Sequence, residues 1–150
     1  MKKLILLTIA ILGFLQLSAQ EHKNVFFNMH DMEARYIEKT YGVPYHISMA
    51  VSALETGWGT SKLYREKNNP FGLRNADGTY KKFDSVLEGW IYFGKLLHTS
   101  KRYEPLKSCT HFRYYAQVLA KCGYNTERPE WAGEVIRIIL ANKKKLRIES

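Results

Sequence analysis

Residues 44–56, PYHISMAVSALET, constrain the fold of this chain most strongly. Apolar side chains fall at i, i+3, i+4 and i+7 along this stretch, which is one face of an α-helix. These positions are Ile47, Ala50, Val51 and Leu54. Pro44 is compatible with the first turn of a helix. Because Ala, Met and Val dominate the remaining positions, we expect this helix to be buried on most of its sides.

End signals predict four further helices. They cover residues 29–41 up to Gly42, a helix that begins at Ser85 and Glu88, residues 112–122 up to Gly123, and a last helix opened by Pro129. Serine followed by glutamate three residues later is a capping box, and a glycine after a helical pattern is a common C-terminal cap. Residues 60–85 are rich in Asn, Gly, Pro and Asp, which favours turns, with at most a small hairpin around residues 76–78.

The pattern therefore predicts a mainly α domain with a small irregular or β-hairpin lobe inserted between helices. We expect the junction between this lobe and the helices to form a cleft. Glu55 lies at that junction, in the last turn of the predicted helix and two residues before the start of Gly57-Trp58-Gly59.

The first twenty residues, MKKLILLTIAILGFLQLSAQ, have the layout of a secretory signal peptide. Two lysines precede an apolar run, and small residues stand where the chain would be cleaved. The run is short for a membrane span, and an uncleaved anchor is the alternative. We expect residues 21–150 to form one domain that is exported to the periplasm or the extracellular space, with no stable membrane anchor after cleavage.

The chain carries 23 Lys and Arg against 14 Asp and Glu, a formal net charge of +9, which favours an anionic partner. No nucleic-acid recognition motif is present, so nucleic acid is not the expected partner. The five histidines show no metal-ligand spacing, and neither a metal nor a cofactor is expected. Export permits a disulfide, but Cys109 and Cys122 flank one predicted helix, and we expect two free buried thiols.

Glu55 is a candidate general acid. A carboxylate at a helix C-terminus faces the negative end of the helix dipole, and apolar neighbours such as Leu54 and Trp58 disfavour its charged form. Both effects raise the pKa of Glu55, and a glutamic acid that stays protonated near neutral pH can donate a proton to a leaving oxygen. The alternative is a solvated side chain without a chemical role.

Three segments resemble one family. The string SALETGWGTSKLYREKNNPFGLR, residues 52–74, resembles the family-73 glycoside hydrolases, bacterial endo-β-N-acetylglucosaminidases that cut peptidoglycan. KKFDSVLEGWIYFGKLL, residues 81–97, and KCGYNTERPEWAGEVIRIILANK, residues 121–143, resemble later segments of the same family. The likeness covers residues 29–142 and keeps the order of the motifs.

The resemblance implies a lysozyme-like helical fold in which Glu55 is the catalytic acid that cleaves the β-1,4 bond after N-acetylglucosamine. It also implies that Tyr124 matches the essential tyrosine of the family. The residues that it implies for substrate binding are Trp58 at the base of the cleft, Asn69 and Phe71 on the opposite lip, and Trp131. For the three aromatic residues among them, packing in the core is the alternative.

The group that acts opposite Glu55 is left open by the sequence. Some family members carry a second acidic residue on a longer hairpin, whereas the lobe is short here. Asp77 and Asp84 are candidates for a catalytic base, although Asp84 also suits helix capping. The N-acetyl oxygen of the substrate, assisted by Tyr124, needs no second carboxylate, and we favour this third arrangement.

We therefore predict an exported peptidoglycan hydrolase whose substrate is the glycan strand of the cell wall. The alternative is a wall-binding or scaffolding protein that keeps the lysozyme-like shape with weak turnover or none. The short lobe and the unassigned base favour this alternative, whereas the presence of Glu55 and Tyr124 favours the hydrolase.

Overall fold

Seven α-helices and one 3₁₀ helix form the regular structure of residues 2–148, the part of the chain that this computed structural model describes; side chains are described from residue 15 onward. The α-helices are α1 (Lys2–Met29), α2 (Asp31–Tyr41), α3 (Tyr45–Thr56), α4 (Lys62–Lys67), α5 (Val86–Thr99), α6 (Phe112–Lys121) and α7 (Trp131–Ala141). The 3₁₀ helix spans Lys101–Ser108, between α5 and α6.

Helix α3 is the centre of the domain. Nine of its twelve residues are buried, and it packs against α2, α6 and α7. The prediction of a helix buried on most sides is confirmed. The buried side chains around α3 form one contiguous core. This core includes the fully buried rings of Trp90 and Trp131.

The predicted end signals are found at the ends of the helices. Gly42 follows α2, and Gly57 follows α3. The Ser85 hydroxyl accepts a hydrogen bond from the backbone N–H of Glu88, as in a capping box. The Glu88 carboxylate in turn accepts from the backbone N–H of Asp84, one residue earlier than the usual partner. These two reciprocal hydrogen bonds therefore cap the N-terminus of α5.

The predicted β-hairpin is not formed. Within residues 2–148 there is no strand, and the lobe contains one isolated antiparallel bridge between Arg74 and Tyr80. The side chain of Asn69 instead holds the lobe together: its amide nitrogen donates to Leu73 O at 2.8 Å and to Lys81 O at 2.9 Å. The lobe is therefore irregular, which is the other form that the sequence predicts. Side-chain hydrogen bonds of Asn69 stabilise it in place of a strand ladder.

Two short helices are absent from the sequence prediction. They are α4, with six residues, and the 3₁₀ helix, which contains Pro105. Segments of this length are shorter than the window of about 11–18 residues in which a helical period is recognised, so local sequence alone does not reveal them. Both pass close to the lobe and the cleft described below.

The predicted cleavage point after residue 20 falls inside α1, which continues without interruption to Met29. The side chains of residues 15–22 are exposed, whereas Phe26 and Phe27 are buried in the domain core. No helix in the described part of the chain is both long enough and apolar enough to cross a membrane. Cys109 and Cys122 are free thiols, as predicted, but they are half-buried rather than buried.

Candidate active site

Glu55 lies on the last turn of α3, at the junction with the lobe. Its side chain is half-buried, and Oε1 accepts a hydrogen bond of 2.6 Å from Nε1 of Trp131 at the start of α7. The other oxygen, Oε2, lies against the backbone of Gly72 in the lobe, where an added Cβ atom would come within 3.0 Å. Glu55 is therefore held between the first residue of α7 and a lobe residue that has no side chain.

An unusual turn ends α3 directly after Glu55. Gly57, Trp58 and Gly59 have successive φ angles of 56°, 60° and 83°, all in the left-handed region. The middle residue is not glycine, and such a conformation costs of the order of 1 kcal/mol or more. The Thr56 hydroxyl supports the turn, because it accepts a hydrogen bond from the backbone N–H of Gly59 at 2.9 Å.

The environment of Glu55 favours its protonated form. Burial raises the pKa of the carboxyl above its ordinary value. Hydrogen bonds from Trp131 and Asn125 and the positive charge of Arg128 offset part of this effect, whereas the nearby charge of Glu134 adds to it. The net result is an acid whose pKa is raised, which is the property that a general acid needs.

Tyr124 lies beside Glu55 on the other wall of the cleft. It follows Gly123 at the end of α6, and its hydroxyl donates a 2.7 Å hydrogen bond to the backbone oxygen of Phe71 in the lobe. Burial, with a further contribution from the Glu55 carboxylate, raises the pKa of Tyr124 well above its usual value. The phenol is therefore neutral at physiological pH and joins the lobe to the helical part of the domain.

The cleft around these residues has a volume of about 610 Å³. Its walls come from the lobe, from α5 and the 3₁₀ helix, and from the loop of residues 123–128. Charged and aromatic side chains line it: Glu55, Arg74, Tyr80, Tyr92, Arg102, Tyr103, Tyr124, Glu127 and Arg128. Such a volume accommodates a small ligand or a few sugar units, and exposed tyrosine rings offer faces on which sugars can stack.

Trp58 does not line the cleft. Its ring makes edge contacts with Phe26 and Phe27 of α1, with centroids 5.9 and 5.4 Å away, and Lys23 lies over it at 5.2 Å. This placement contradicts the expectation that Trp58 lies against the base of the cleft. The left-handed turn at residues 57–59 directs its side chain towards α1, so Trp58 anchors the end of the helix that carries Glu55.

Asn69 and Trp131 do not line the cleft, whereas Phe71 does. Each of the three is at most 1% exposed, so the side chains of Phe71 and Trp131 pack in the core, the alternative that the sequence left open. The Phe71 ring stacks on Phe93 with centroids 3.8 Å apart, and the Asn69 amide is fully used within the lobe. Trp131 belongs to the site through its hydrogen bond to Glu55 rather than through a sugar contact.

Neither candidate for a second carboxylate lies in the cleft. Asp77 accepts hydrogen bonds from the backbone and hydroxyl of Thr79 in an exposed turn, and these bonds lower its pKa. Asp84 is exposed just before α5. Its backbone N–H donates a hydrogen bond to the Glu88 carboxylate. The carboxylate that does line the cleft with Glu55 is Glu127, which the sequence analysis did not single out as a site residue.

The sequence analysis also missed three arginines of the cleft. Arg128 pairs with Glu134, and Arg102 donates to the backbone oxygens of Cys122 and Gly123. Arg74 extends from the lobe to Glu127, with 3.5 Å between Nη2 and Oε2. Their partners lie 4 to 53 positions away in the sequence, and the Arg74–Glu127 contact across the cleft, at 53 positions, has no local signal. In the described part of the chain, no cluster of His, Cys, Asp or Glu could hold a metal ion.

A half-buried glutamic acid in a cleft that is also lined by tyrosines and arginines is compatible with a glycoside hydrolase. Comparison with known proteins agrees with this class. Residues 32–144 match the family described as glucosaminidase, mannosyl-glycoprotein endo-β-N-acetylglucosaminidase. The match spans most of the chain, and the protein belongs to this glucosaminidase family of glycoside hydrolases.

The relatives named here are identical to this chain at about a quarter of the aligned positions. Peptidoglycan hydrolase FlgJ of Escherichia coli (strain K12) is 26% identical over 141 residues, which cover 76% of this chain and 45% of that protein. The chain thus spans less than half of the length of this relative. The glycoside hydrolase domain of Salmonella typhimurium FlgJ superposes with a TM-score of 0.66 at 26% identity, covering 81% of this chain and 89% of that one.

The fold is shared more widely. The structure of a peptidoglycan hydrolase from Sphingomonas sp. A1 matches with a TM-score of 0.71 at 24% identity, over 82% of this chain and 92% of that one. At this identity the likeness concerns the fold alone. It shows that the overall fold of this chain also occurs in a solved structure.

Proposed function

We propose that this protein is an exported peptidoglycan hydrolase that cleaves the β-1,4 bond after N-acetylglucosamine, with Glu55 as the general acid. The observation that carries this proposal is the setting of Glu55. It is the half-buried carboxyl at the base of the cleft, its pKa is raised, and the indole of Trp131 fixes its orientation. The family of the chain and the printed names of its relatives support the substrate class.

The reaction begins with proton transfer. Glu55 donates its proton to the glycosidic oxygen, and the bond between that oxygen and the anomeric carbon breaks. The resulting Glu55 carboxylate then accepts a proton from the water that completes hydrolysis, which returns the acid to its starting state. A raised pKa suits both steps, because the group must exchange a proton near the working pH.

The group opposite Glu55 is proposed to be the N-acetyl oxygen of the substrate itself. Asp77 and Asp84 lie outside the cleft, and Glu127, which lines it, is 75% exposed and forms an ion pair with Arg74. Attack of the acetamide oxygen on the anomeric carbon forms a cyclic intermediate that water opens, with overall retention of configuration. Tyr124 assists by holding the lobe at Phe71, which lines the cleft together with Glu55.

The test is digestion of purified peptidoglycan by the wild-type protein and by Glu55→Gln, with new reducing ends identified by mass spectrometry. Wild type is expected to release fragments that end in N-acetylglucosamine, and Glu55→Gln is expected to lose at least about a hundredfold in rate. Glu66→Gln is the matched control, because this exposed glutamate of α4 lies outside the cleft and pairs with Lys62.

Two outcomes would overturn the proposal. Fragments that end in N-acetylmuramic acid would place the cleaved bond on the other side of the disaccharide. Binding of peptidoglycan without cleavage by folded wild-type protein would support the wall-binding alternative instead. The anomeric configuration of the first product, followed by nuclear magnetic resonance, tests the mechanism, since inversion would exclude the substrate-assisted route.

A further inference from the structure

The Arg74–Glu127 contact joins the two walls of the cleft. Two chain segments leave the vicinity of Glu55 side by side, one in the lobe and one in the loop after α6. Near Glu55 they are joined by the hydrogen bond from Tyr124 to Phe71, and three residues further along each segment they are joined again by Arg74 and Glu127. A glycan that lies along the cleft therefore meets this ion pair.

Arg74 is held in place by its own lobe. Its guanidinium lies over the ring of Tyr80 with 4.4 Å between Cζ and the ring centroid. Nη2 also donates to the Tyr80 hydroxyl at 3.0 Å, and Nη1 donates to the backbone oxygen of Gly78 at 3.2 Å. An arginine that is already oriented loses little further freedom when it binds a carboxylate.

Glu127 is held much less firmly. Its side chain is 75% exposed, against 44% for Arg74, and the 3.5 Å contact with Arg74 is long for a charge-assisted hydrogen bond. An exposed ion pair of this kind stabilises by about 1 kcal/mol or less. A ligand carboxylate can therefore replace Glu127 on Arg74 at small cost.

The charge of the cleft also suits an anionic ligand. Arg74, Arg102 and Arg128 line it, and the first and last of these pair with Glu127 and Glu134. Among the described residues Arg102 donates only to backbone oxygens, and the raised pKa of Glu55 favours its neutral form, so the charge of Arg102 is not neutralised by a carboxylate. Chitin-like glycans carry no charge and would gain nothing from this surplus.

We propose that Arg74 determines specificity by binding a carboxylate of the glycan substrate, and that Glu127 occupies this position until the substrate replaces it. This inference rests on the proposed function and names the feature by which the cleft distinguishes wall glycan from uncharged N-acetylglucosamine polymers. The carboxylate is that of the lactyl ether on a muramic acid unit, or one on the peptide stem attached to it; both present the same chemistry to a guanidinium.

The experiment measures binding in the Glu55→Gln background, so that turnover does not interfere. Three ligands of equal sugar length are compared by isothermal titration calorimetry: glycan oligosaccharides with free lactyl carboxylates, the same glycan with peptide stems, and chitin oligosaccharides. Arg74→Gln is expected to weaken binding of at least one carboxylate-bearing ligand by about tenfold, and to leave binding of chitin oligosaccharides unchanged. The ligand that is affected identifies the source of the carboxylate.

Further variants separate recognition from a structural role. Arg74→Lys should recover part of the lost affinity, and Glu127→Gln should strengthen binding of the same charged ligand, because it removes the competing carboxylate. Arg65→Gln, an exposed arginine of α4 outside the cleft, is the control for net charge. It should leave the ratio of charged to uncharged ligand affinities unchanged.

Equal weakening of all three ligands by Arg74→Gln, or no weakening of any, would overturn the proposal. Weaker binding of the charged ligand by Glu127→Gln would overturn it as well. Failure of the proposed function gives a different result: wild-type protein would then not cleave peptidoglycan at all, whatever the binding data show for Arg74.

Discussion

The hydrogen bond from Trp131 to Glu55 gives the sharpest prediction about catalysis. Trp131→Phe removes the indole N–H that Oε1 of Glu55 accepts at 2.6 Å and keeps an aromatic ring in the core. A hydrogen bond to a charged acceptor stabilises by about 1.5–3 kcal/mol, and one to a neutral acceptor by about 0.5–1.5 kcal/mol. The carboxylate thus loses about 1–1.5 kcal/mol more than the protonated acid does.

This difference has a definite sign in a pH–rate profile. Loss of the donor destabilises the Glu55 carboxylate, so the pKa of the acid rises further and the protonated form persists to higher pH. Since about 1.4 kcal/mol corresponds to a factor of ten, the alkaline limb of the profile should move upward by about one pH unit. The assay is hydrolysis of a soluble glycan fragment between pH 4 and 9, with kcat/KM at each pH.

Trp90→Phe is the matched control. Trp90 is as fully buried as Trp131, but its Nε1 has no hydrogen-bond partner among the described residues, and it lies outside the cleft. Both variants should lose stability, because each replaces a buried indole by a smaller ring. Only Trp131→Phe should move the alkaline limb. If Trp131→Phe leaves the alkaline limb of the pH–rate profile unchanged, or moves it to lower pH, then ionisation of a Glu55 that accepts a hydrogen bond from Trp131 does not determine this limb.

Three further predictions concern the site and its support. Gly72→Ala should lower kcat about tenfold or more, because the added Cβ atom displaces the Glu55 side chain. Gly78 has a similar positive φ but open space around it, so Gly78→Ala should retain activity in the same hydrolysis assay. Burial lowers the pKa of His30 from 6.5 to about 4, so the free energy of unfolding should fall as pH drops from about 6.5 towards 4; urea titrations of His30→Gln should lack this dependence. Asn69→Ala removes four hydrogen bonds and should destabilise by about 2–4 kcal/mol in urea, and a loss below about 1 kcal/mol would contradict its role as the centre of the lobe.

The helices were predictable because their signals are local. A hydrophobic period and a capping residue lie within a few positions of one another, as at Ser85 and Glu88, and a single stretch of sequence contains both. The place of Glu55 at the end of α3 is predictable for the same reason, whereas its role as the acid was implied by the resemblance of residues 52–74 to a family.

The rest of the site depends on contacts between distant parts of the chain. The same tryptophan can stack on a sugar, fill a core or hold an acid, and Trp131 does the last because α7 packs against α3. Trp58 is directed to α1 by a turn whose left-handed φ angles the sequence alone does not specify. The pairing of Arg74 with Glu127 bridges 53 positions and has no local pattern at all.

The hydrogen bond between Trp131 and Glu55 also has a consequence for the time at which the enzyme becomes active. The two residues are 76 positions apart, and Trp131 begins the last helix of the chain. A ribosome therefore makes the acid long before it makes the side chain that orients it. Until α7 has been made, the Glu55 carboxyl therefore lacks the donor that fixes its orientation in the folded protein.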